Sequence, residues 1–271
     1  MVAIIKTEFQ KIKRYQILLI GLIGMFCSPL LQLFSQMIMT PEARNPNFDF
    51  AALLEATIWG NAQMFMPVIF TLIGGYLMNR EYTDDTLKNI LTVPLSFRKF
   101  LAGKLAAVGL LAILMGVYSL LAAVIVGLVA GLSGFGGMVL LKGLLQMIGL
   151  SIAVYIVVLP LIGICSRRPG MFMSGSVFAF IAGYAVLFFK QGLLRNVYPF
   201  SAALTLIGFD TASYSGTSDK GSIPLGIASL GVMLLLGVLA VCTAGAPGEA
   251  AKTGKKKGKK NGGRSAARRG R

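Results

Sequence analysis

The side chains that ordinarily carry enzyme chemistry are scarce in this sequence. Its 271 residues include no histidine, which excludes Ser-His-Asp and Cys-His nucleophiles and HExxH zinc sites. All ten carboxylates fall outside the membrane spans predicted below, so we expect no acid–base pair buried in a membrane. Cys27, Cys165 and Cys242 stand singly in apolar runs, where cysteine serves as a small apolar side chain. We therefore expect no catalytic residue, metal or cofactor on this chain.

One stretch of the carboxyl-terminal tail approximates a nucleotide-binding loop. Residues 248–253 lack the glycine that should directly precede Lys252, and they follow no predicted strand, so we expect no ATP there. Residues 252–271 carry ten of the 26 lysines and arginines and no acidic residue. We predict that 244–271 is a disordered polybasic tail in the cytoplasm, attracted to anionic lipid. Specific nucleic-acid binding is not expected, because no aromatic side chain is interleaved to stack on bases.

The composition predicts a membrane protein. Hydrophobic residues make up 55% of the chain and charged residues 13%, with a mean hydropathy of +0.75, whereas a soluble domain has about 25% charged residues. We predict an all-α, polytopic integral membrane protein in which 17–243 form six transmembrane helices. The predicted spans are residues 17–39, 58–78, 105–129, 144–165, 171–189 and 223–243, each long enough to cross a hydrocarbon core of about 30 Å.

The distribution of lysine and arginine predicts the orientation. With the amino terminus inside, the inner segments hold 21 of these residues and the outer segments five, as the positive-inside rule requires. Both termini and the loop 79–104 are then cytoplasmic, and the loop 190–222 is outside. Residues 1–16 are predicted to form an amphipathic helix on the membrane surface. Within it we expect Glu8 and Lys11 to form a surface ion pair worth a few tenths of a kcal/mol.

Neutral polar residues are the remaining candidates for a site inside the membrane. Those that could line a substrate path are Gln32, Gln36, Gln146 and Tyr155. Buried amides need partners, and we favour hydrogen bonds between helices over a path. A ridge of small residues on the third span favours close helix packing or dimerisation. Its members are Ser119, Ala123, Gly127 and Gly131.

The loop 79–104 holds the densest mixture of charges outside the tail. We predict a short docking helix over 84–92, since Thr83 or Asp84 can cap it and Leu87, Ile90 and Leu91 form one apolar stripe. Pro94 then ends that helix. Ser96 can cap a second helix, which acts as a lever running into the third span. The apolar stripe suits a groove on a soluble partner, although it could equally rest on this protein or on lipid.

The same loop resembles a known family. The segments that carry the likeness are Glu81-Tyr82, TLKNILTVPLS at 86–96, RKFLAGK at 98–104 and EFQKIKR at 8–14. They resemble type-two ATP-binding-cassette (ABC) permeases, nearest to the bacitracin-resistance, lantibiotic-immunity and sodium-export branch. Asp85 and Phe97 depart from the common pattern of that branch, which leaves the substrate open.

The resemblance implies a permease subunit of an exporter in a bacterial cell membrane. Two ABC ATPase subunits would hydrolyse the ATP, and a second copy or a sister permease would complete the complex. It also implies that the docking helix and the elbow after it contact the ATPase. The residues expected there are Glu81, Thr86, Leu87, Lys88, Ile90, Leu91, Pro94 and Arg98. The alternatives are a non-transporting membrane scaffold or sensor, and a secondary carrier.

Overall fold

The fold is a bundle of apolar helices. The computed structural model describes residues 7–11, 16–40, 42, 45–83, 96–189, 192–211, 214 and 221–244, of which 7–11 form a short helical segment. The helices that follow are α1, Gln16–Ile38; α2, Phe50–Thr83; α3, Phe97–Val129; α4, Gly137–Cys165; α5, Met171–Tyr184; α6, Gly192–Val197; α7, Pro199–Leu206; and α8, Ile223–Cys242.

The predicted all-α, polytopic architecture is confirmed. In the described part of the chain, α1, α2, α3, α4 and α8 are long and apolar enough to cross a membrane. The stretch Met171–Leu187, which contains α5 and a 3-10 turn, is apolar but shorter. Large apolar side chains point outward along the helices, and Ile38 of α1 and Leu235 of α8 are more than half exposed. Such faces are stable in a bilayer, where the surrounding solvent is itself apolar.

Helix α2 is longer than predicted. It begins at Phe50 rather than Ile58, because the Asp49 side chain accepts a hydrogen bond of 2.9 Å from the Ala52 amide and caps the helix. It continues to Thr83, so Glu55 and Glu81 lie within a candidate span. The expectation that every carboxylate falls outside the spans was therefore wrong. The polar residues before Ile58 suggested a loop, but they supply the cap and the exposed face of the first turns.

A π-helical turn interrupts α2 at Asn61–Phe65. Such a turn inserts one extra residue into an α-helix and is frequent at functional sites. On one side, Gly60 packs against Gln32 of α1. On the other, the Gln63 carbonyl lies against Gly183 of α5 so closely that a side chain there would collide with it. The turn therefore sits where several helices meet.

Helices α3 and α4 also extend beyond the predicted spans 105–129 and 144–165. Helix α3 begins at Phe97, where the Ser96 hydroxyl accepts a hydrogen bond of 3.4 Å from the Lys99 amide. The predicted cap and the predicted continuation of this helix into the third span are thus both observed. The turn between α3 and α4 uses Gly131 and Gly134 with φ angles of +67° and +90°. Such angles strain any residue other than glycine.

The outer loop predicted at 190–222 contains two short helices, α6 and α7. Pro199 begins α7, a position where its missing N–H costs no hydrogen bond. Both helices pack against α8, and α7 also packs against α4. Near them, Trp59 of α2 stacks on Phe209 and Tyr214 with ring centroids 6.2 and 5.1 Å apart. The apolar middle of the loop is therefore part of the core.

Candidate functional site

A buried cluster of charged side chains joins three segments of the chain. It lies where α2 ends and α3 begins, and this end of the bundle is called the inner end below. Lys104 of α3 is its centre. The Lys104 Nζ atom lies 2.7 Å from Glu8 Oε2 and 2.9 Å from Glu81 Oε1 of α2. It also donates a hydrogen bond of 3.2 Å to the Leu77 carbonyl and lies 5.3 Å from the centre of the Phe100 ring. One ammonium group therefore connects the last turn of α2, the first turns of α3 and the segment 7–11.

Lys11 closes the cluster. Its Nζ atom is 2.9 Å from Glu81 Oε1 and 3.7 Å from Glu8 Oε1. The side chains of Glu8, Glu81 and Lys104 are 2 to 3% exposed, and that of Lys11 is 38% exposed. The cluster, defined as Glu8, Lys11, Glu81 and Lys104, carries two negative and two positive charges and is neutral. Charges buried without such partners would be expensive to remove from water.

The position of the cluster fixes the two ends of the loop 84–95. Glu81 stands two residues before Thr83, the end of α2, and Lys104 stands in the second turn of α3. A direct ion pair between them holds these ends of α2 and α3 at one separation. A displacement of one end must move the other or separate buried charges, which are costly to leave without a partner.

Further hydrogen bonds tie the inner end to α5 and α8. The Tyr82 hydroxyl donates to the Ser166 carbonyl at 2.8 Å, and the Gly170 amide donates to Asn79 Oδ1 at 2.7 Å. The turn between α4 and α5 is thus attached to the end of α2. On its other side, Arg167 donates to the Ala240 carbonyl at 3.1 Å and to Thr243 Oγ1 at 2.6 Å. A force on α2 therefore reaches α8 through one short turn.

The predicted docking residues divide into two groups. Glu81 is buried in the cluster, and Arg98 is exposed on the first turn of α3. The others fall outside the described residues, and they are Thr86, Leu87, Lys88, Ile90, Leu91 and Pro94. Of the two that are described, only Arg98 is available to a partner, while Glu81 acts within the chain.

The residues proposed for a substrate path contact four different elements. The Gln36 side chain accepts from the Asn45 amide at 3.4 Å, and Gln32 packs on Gly60. Gln146 donates to the Ile207 carbonyl at 3.3 Å, and the Tyr155 hydroxyl donates to the Leu105 carbonyl at 2.6 Å. Gln146 and Tyr155 thus bond to the backbone of neighbouring elements, whereas Gln36 bonds to the loop before α2 and Gln32 packs against α2. The choice between bonds between helices and a substrate path stays a prediction.

The small-residue ridge packs inside the chain. Ser119 and Ala123 are fully buried, and Ser119 accepts a hydrogen bond of 2.7 Å from Asn61 of α2. A side chain at Gly127 would meet the Phe50 ring, 2.8 Å from its nearest carbon. Gly131 lies beyond the end of α3, and in the described part of the chain no atom other than those of its sequence neighbours lies within 4 Å of a Cβ built there. The ridge therefore lets α3 approach α2.

Two apolar cavities share Tyr198, Pro199 and Met233 and form a cleft beside α8. Their volumes are about 410 and about 250 Å³. The larger lies between α6 and α8, where Leu194 and Leu225 face it, and the smaller reaches α4 and α5. Cavities of this size and character suit an acyl chain or an apolar side chain. Among the described residues, no three His, Cys, Asp or Glu side chains are grouped to hold a metal ion.

Sequence reasoning did not select Glu8 and Lys104 as a site. Glu8 was interpreted as a surface partner of Lys11, yet its nearest cation is Lys104, 96 residues away. One signal was present, since Lys104 is followed directly by the apolar run of the third span. A cation that enters the bilayer with a helix needs a counter-ion, and Glu8 flanks the first span at the same membrane face.

Comparison with known proteins identifies a family and a curated relative. A family model described as ABC-2 family transporter protein matches residues 4–186, which include the whole cluster. The curated bacitracin transport permease protein BCRB of Bacillus licheniformis is 31% identical over 90 residues, which are 33% of this chain and 43% of that relative. This match therefore spans less than half the length of the relative. The resemblance found in the sequence is confirmed.

Proposed function

Since this chain belongs to the ABC-2 family of transporter proteins, we propose that it is the permease subunit of an ABC exporter in a bacterial cytoplasmic membrane. It is a multi-pass membrane protein and the membrane subunit of an ABC transporter. The finer proposal is that it exports a peptide, an antibiotic or another amphiphilic molecule, using ATP hydrolysed by a separate ATPase subunit.

The ion pair between Glu81 and Lys104 is the observation that carries this proposal. It joins the ends of α2 and α3 on either side of the loop 84–95, where the sequence predicts a docking helix. Helix α3 is 33 residues long in all, about 50 Å at about 1.5 Å per residue. A hydrocarbon core is about 30 Å thick. Movement of an ATPase against the loop would therefore be transmitted across the membrane along one continuous helix.

The proposed partner subunits rest on the family and on the sequence. ABC-2 permeases generally work with ABC ATPase subunits, and no segment of this sequence forms a complete phosphate-binding loop. We propose two ATPase subunits for each complex, together with a second copy of this chain or a sister permease. The exposed apolar faces of α1 and α8 are available to lipid or to that second permease.

The substrate class rests on the cleft and on the relative. The apolar cleft beside α8 would accept the apolar part of an amphiphile. The relative's name assigns bacitracin transport to that protein, and bacitracin is therefore the first molecule to test here.

The docking proposal predicts the effect of a charge placed on the apolar stripe. We expect Leu87→Asp and Leu91→Asp to lower the bacitracin transported per ATP at least about tenfold, because each removes an apolar anchor worth about 1.4 kcal/mol or more. Uptake into inverted membrane vesicles and phosphate release measure that ratio. Membrane abundance of the chain should stay at the wild-type level, since these side chains lie outside the predicted spans.

Asn89→Asp is the matched control. It adds the same charge within the predicted docking helix, but at helical spacing it lies opposite the stripe, so its ratio should match that of the wild type. Unchanged coupling in both leucine variants would contradict docking through this stripe.

A further inference from the structure

We propose that Glu8 is a positioning residue for coupling, so that the amino-terminal helical segment acts with the ends of α2 and α3 as one coupling unit. This inference rests on the proposed function. The amino-terminal segment would then be the third part of the coupling unit, together with the loop 84–95 and the two helices that flank it. The residues that carry it are Glu8, Lys11, Glu81 and Lys104.

The burial of Glu8 is the first step. A helix lying on the membrane surface should turn its charged side chains to water and headgroups. Thr7 and Gln10 are exposed in this way, but Glu8 is 2% exposed and points at Lys104. The segment 7–11 is therefore held against α3 by the ion pair of Glu8 with Lys104. An apolar contact could also have held the segment there.

The closed arrangement of the four charges is the second step. Lys104 contacts both carboxylates, and Lys11 returns from the amino-terminal segment to Glu81. Each of the three segments is thus bonded to the other two through a cation. A shift of α2 against α3 has to be shared with the segment 7–11, because each carboxylate is held by two ammonium groups.

The choice of charge over apolar packing is the third step. Well-packed apolar side chains usually stabilise a fold as well as a buried ion pair does or better, whereas charged groups require particular partners at particular distances. The four-residue cluster, which joins α2 and α3 on either side of the loop 84–95, therefore fixes a geometry. In the proposed function, the contact with the ATPase needs a fixed geometry at the ends of α2 and α3.

The test uses the complete complex with its ATPase subunits in liposomes and needs no knowledge of the substrate. Spin labels at Asn47→Cys and Leu193→Cys, both exposed at the opposite end of the bundle, report the change in distance on adding ATP. The labelled background replaces Cys27, Cys165 and Cys242 with alanine. It must bind the ATPase and respond to ATP as the unmodified complex does, and an unmodified complex that fails to assemble or to hydrolyse ATP would contradict the proposed function, not the inference.

The decisive variant is Glu8→Gln combined with Lys11→Met. It removes one charge of each sign from the amino-terminal segment and leaves the Glu81–Lys104 pair, on which the proposed function rests, in place. We expect the abundance of the chain to match the wild type and the rate of ATP hydrolysis to stay within about twofold of it. The population of complexes that show the ATP-induced distance between the two labels should fall at least about fivefold. Gln10→Glu, an exposed change on the same segment, should leave all three quantities unchanged.

Glu8→Asp keeps the charge but moves the carboxylate back by one methylene group. If the double variant fails to accumulate, this variant tests whether Glu8 positions the coupling unit. We expect it to fold and to lose part of the ATP-driven distance change. A full ATP response in a variant that accumulates normally would show that the cluster only stabilises the fold, and would overturn the proposal.

Discussion

Asn61 shows how a single polar side chain organises the middle of the bundle. Its Nδ2 atom donates to Ser119 Oγ at 2.7 Å and lies 3.7 Å from Met147 Sδ. One amide in the π-helical turn of α2 thereby contacts α3 and α4. Asn61 is fully buried, and the alternative to this bond is a polar group left unsatisfied in an apolar interior.

Ser119→Ala should lower the free energy of unfolding by about 1 kcal/mol, the usual worth of such a bond between membrane helices. Unfolding in mild detergent measures it. The control is Ser174→Ala, because Ser174 is exposed and donates to the Met171 carbonyl, three residues earlier in its own helix. A double-mutant cycle with Asn61→Ala isolates the pair. Equal losses in the two serine variants would show that the bond between helices contributes nothing.

The contact between Glu8 and Lys104 in the charged cluster could not be predicted from local sequence spacing. The sequence predicted that the loop 79–104 matters, and Glu81 and Arg98 were selected within it. Glu8 was assigned to the surface because local spacing pairs it with Lys11, a neighbour at i+3. Its stronger partner, Lys104, is 96 residues away. Only the packing of the segment 7–11 against α2 and α3 brings the two side chains together, and hydrophobic periodicity does not specify that packing.

At the scale of elements, the π-helical turn determines how α5 packs. Gly183 is buried, and its Cα lies against the Gln63 carbonyl with no room for a Cβ atom. The carbonyl belongs to the backbone of the turn, so it has little freedom to move aside. The close approach of α5 and α2 therefore depends on the absence of one methyl group.

Gly183→Ala should destabilise the protein by about 2 kcal/mol or more, the cost of overpacking a close contact. Gly231→Ala is the matched control. Gly231 lies on α8 with no other atom within 4 Å of an added Cβ atom, so alanine there should be neutral or stabilising by up to about 1 kcal/mol. Thermal unfolding of both variants in one detergent gives the comparison. A tolerated alanine at Gly183 would contradict the packing described for α5.

The elements were easier to predict than their ends. Long apolar runs indicate helices because a membrane leaves the backbone few alternatives, and the glycines at 131–137 separated α3 from α4 as expected. Helix α2 was predicted at 58–78, because Glu55 and Asp49 look like loop residues to a hydropathy count. Asp49 is instead the cap, and Glu55 lies on an exposed face. The π-helical turn left no signal, since one inserted residue barely changes an apolar pattern.

At the scale of the whole molecule, contacts at the inner end form a chain across the bundle. The cluster joins the segment 7–11, α2 and α3, and the turn after α4 joins α2 to α8. At the opposite end, α6 and α7 pack on α8 beside the apolar cleft. The cytoplasmic position of the inner end remains a prediction from the excess of lysine and arginine there. Together these features fit the proposed permease, which would receive force from an ATPase at the inner end.

The most direct test is whether this chain works with an ABC ATPase. The full chain, purified from its native membrane in mild detergent, should carry an ABC ATPase identified by mass spectrometry. The complex should hydrolyse ATP and be inhibited by vanadate. Leu87→Asp combined with Leu91→Asp should reduce that association, and Asn89→Asp should retain it. Recovery of the intact chain without any ABC ATPase would contradict its assignment as the membrane subunit of an ATP-driven exporter.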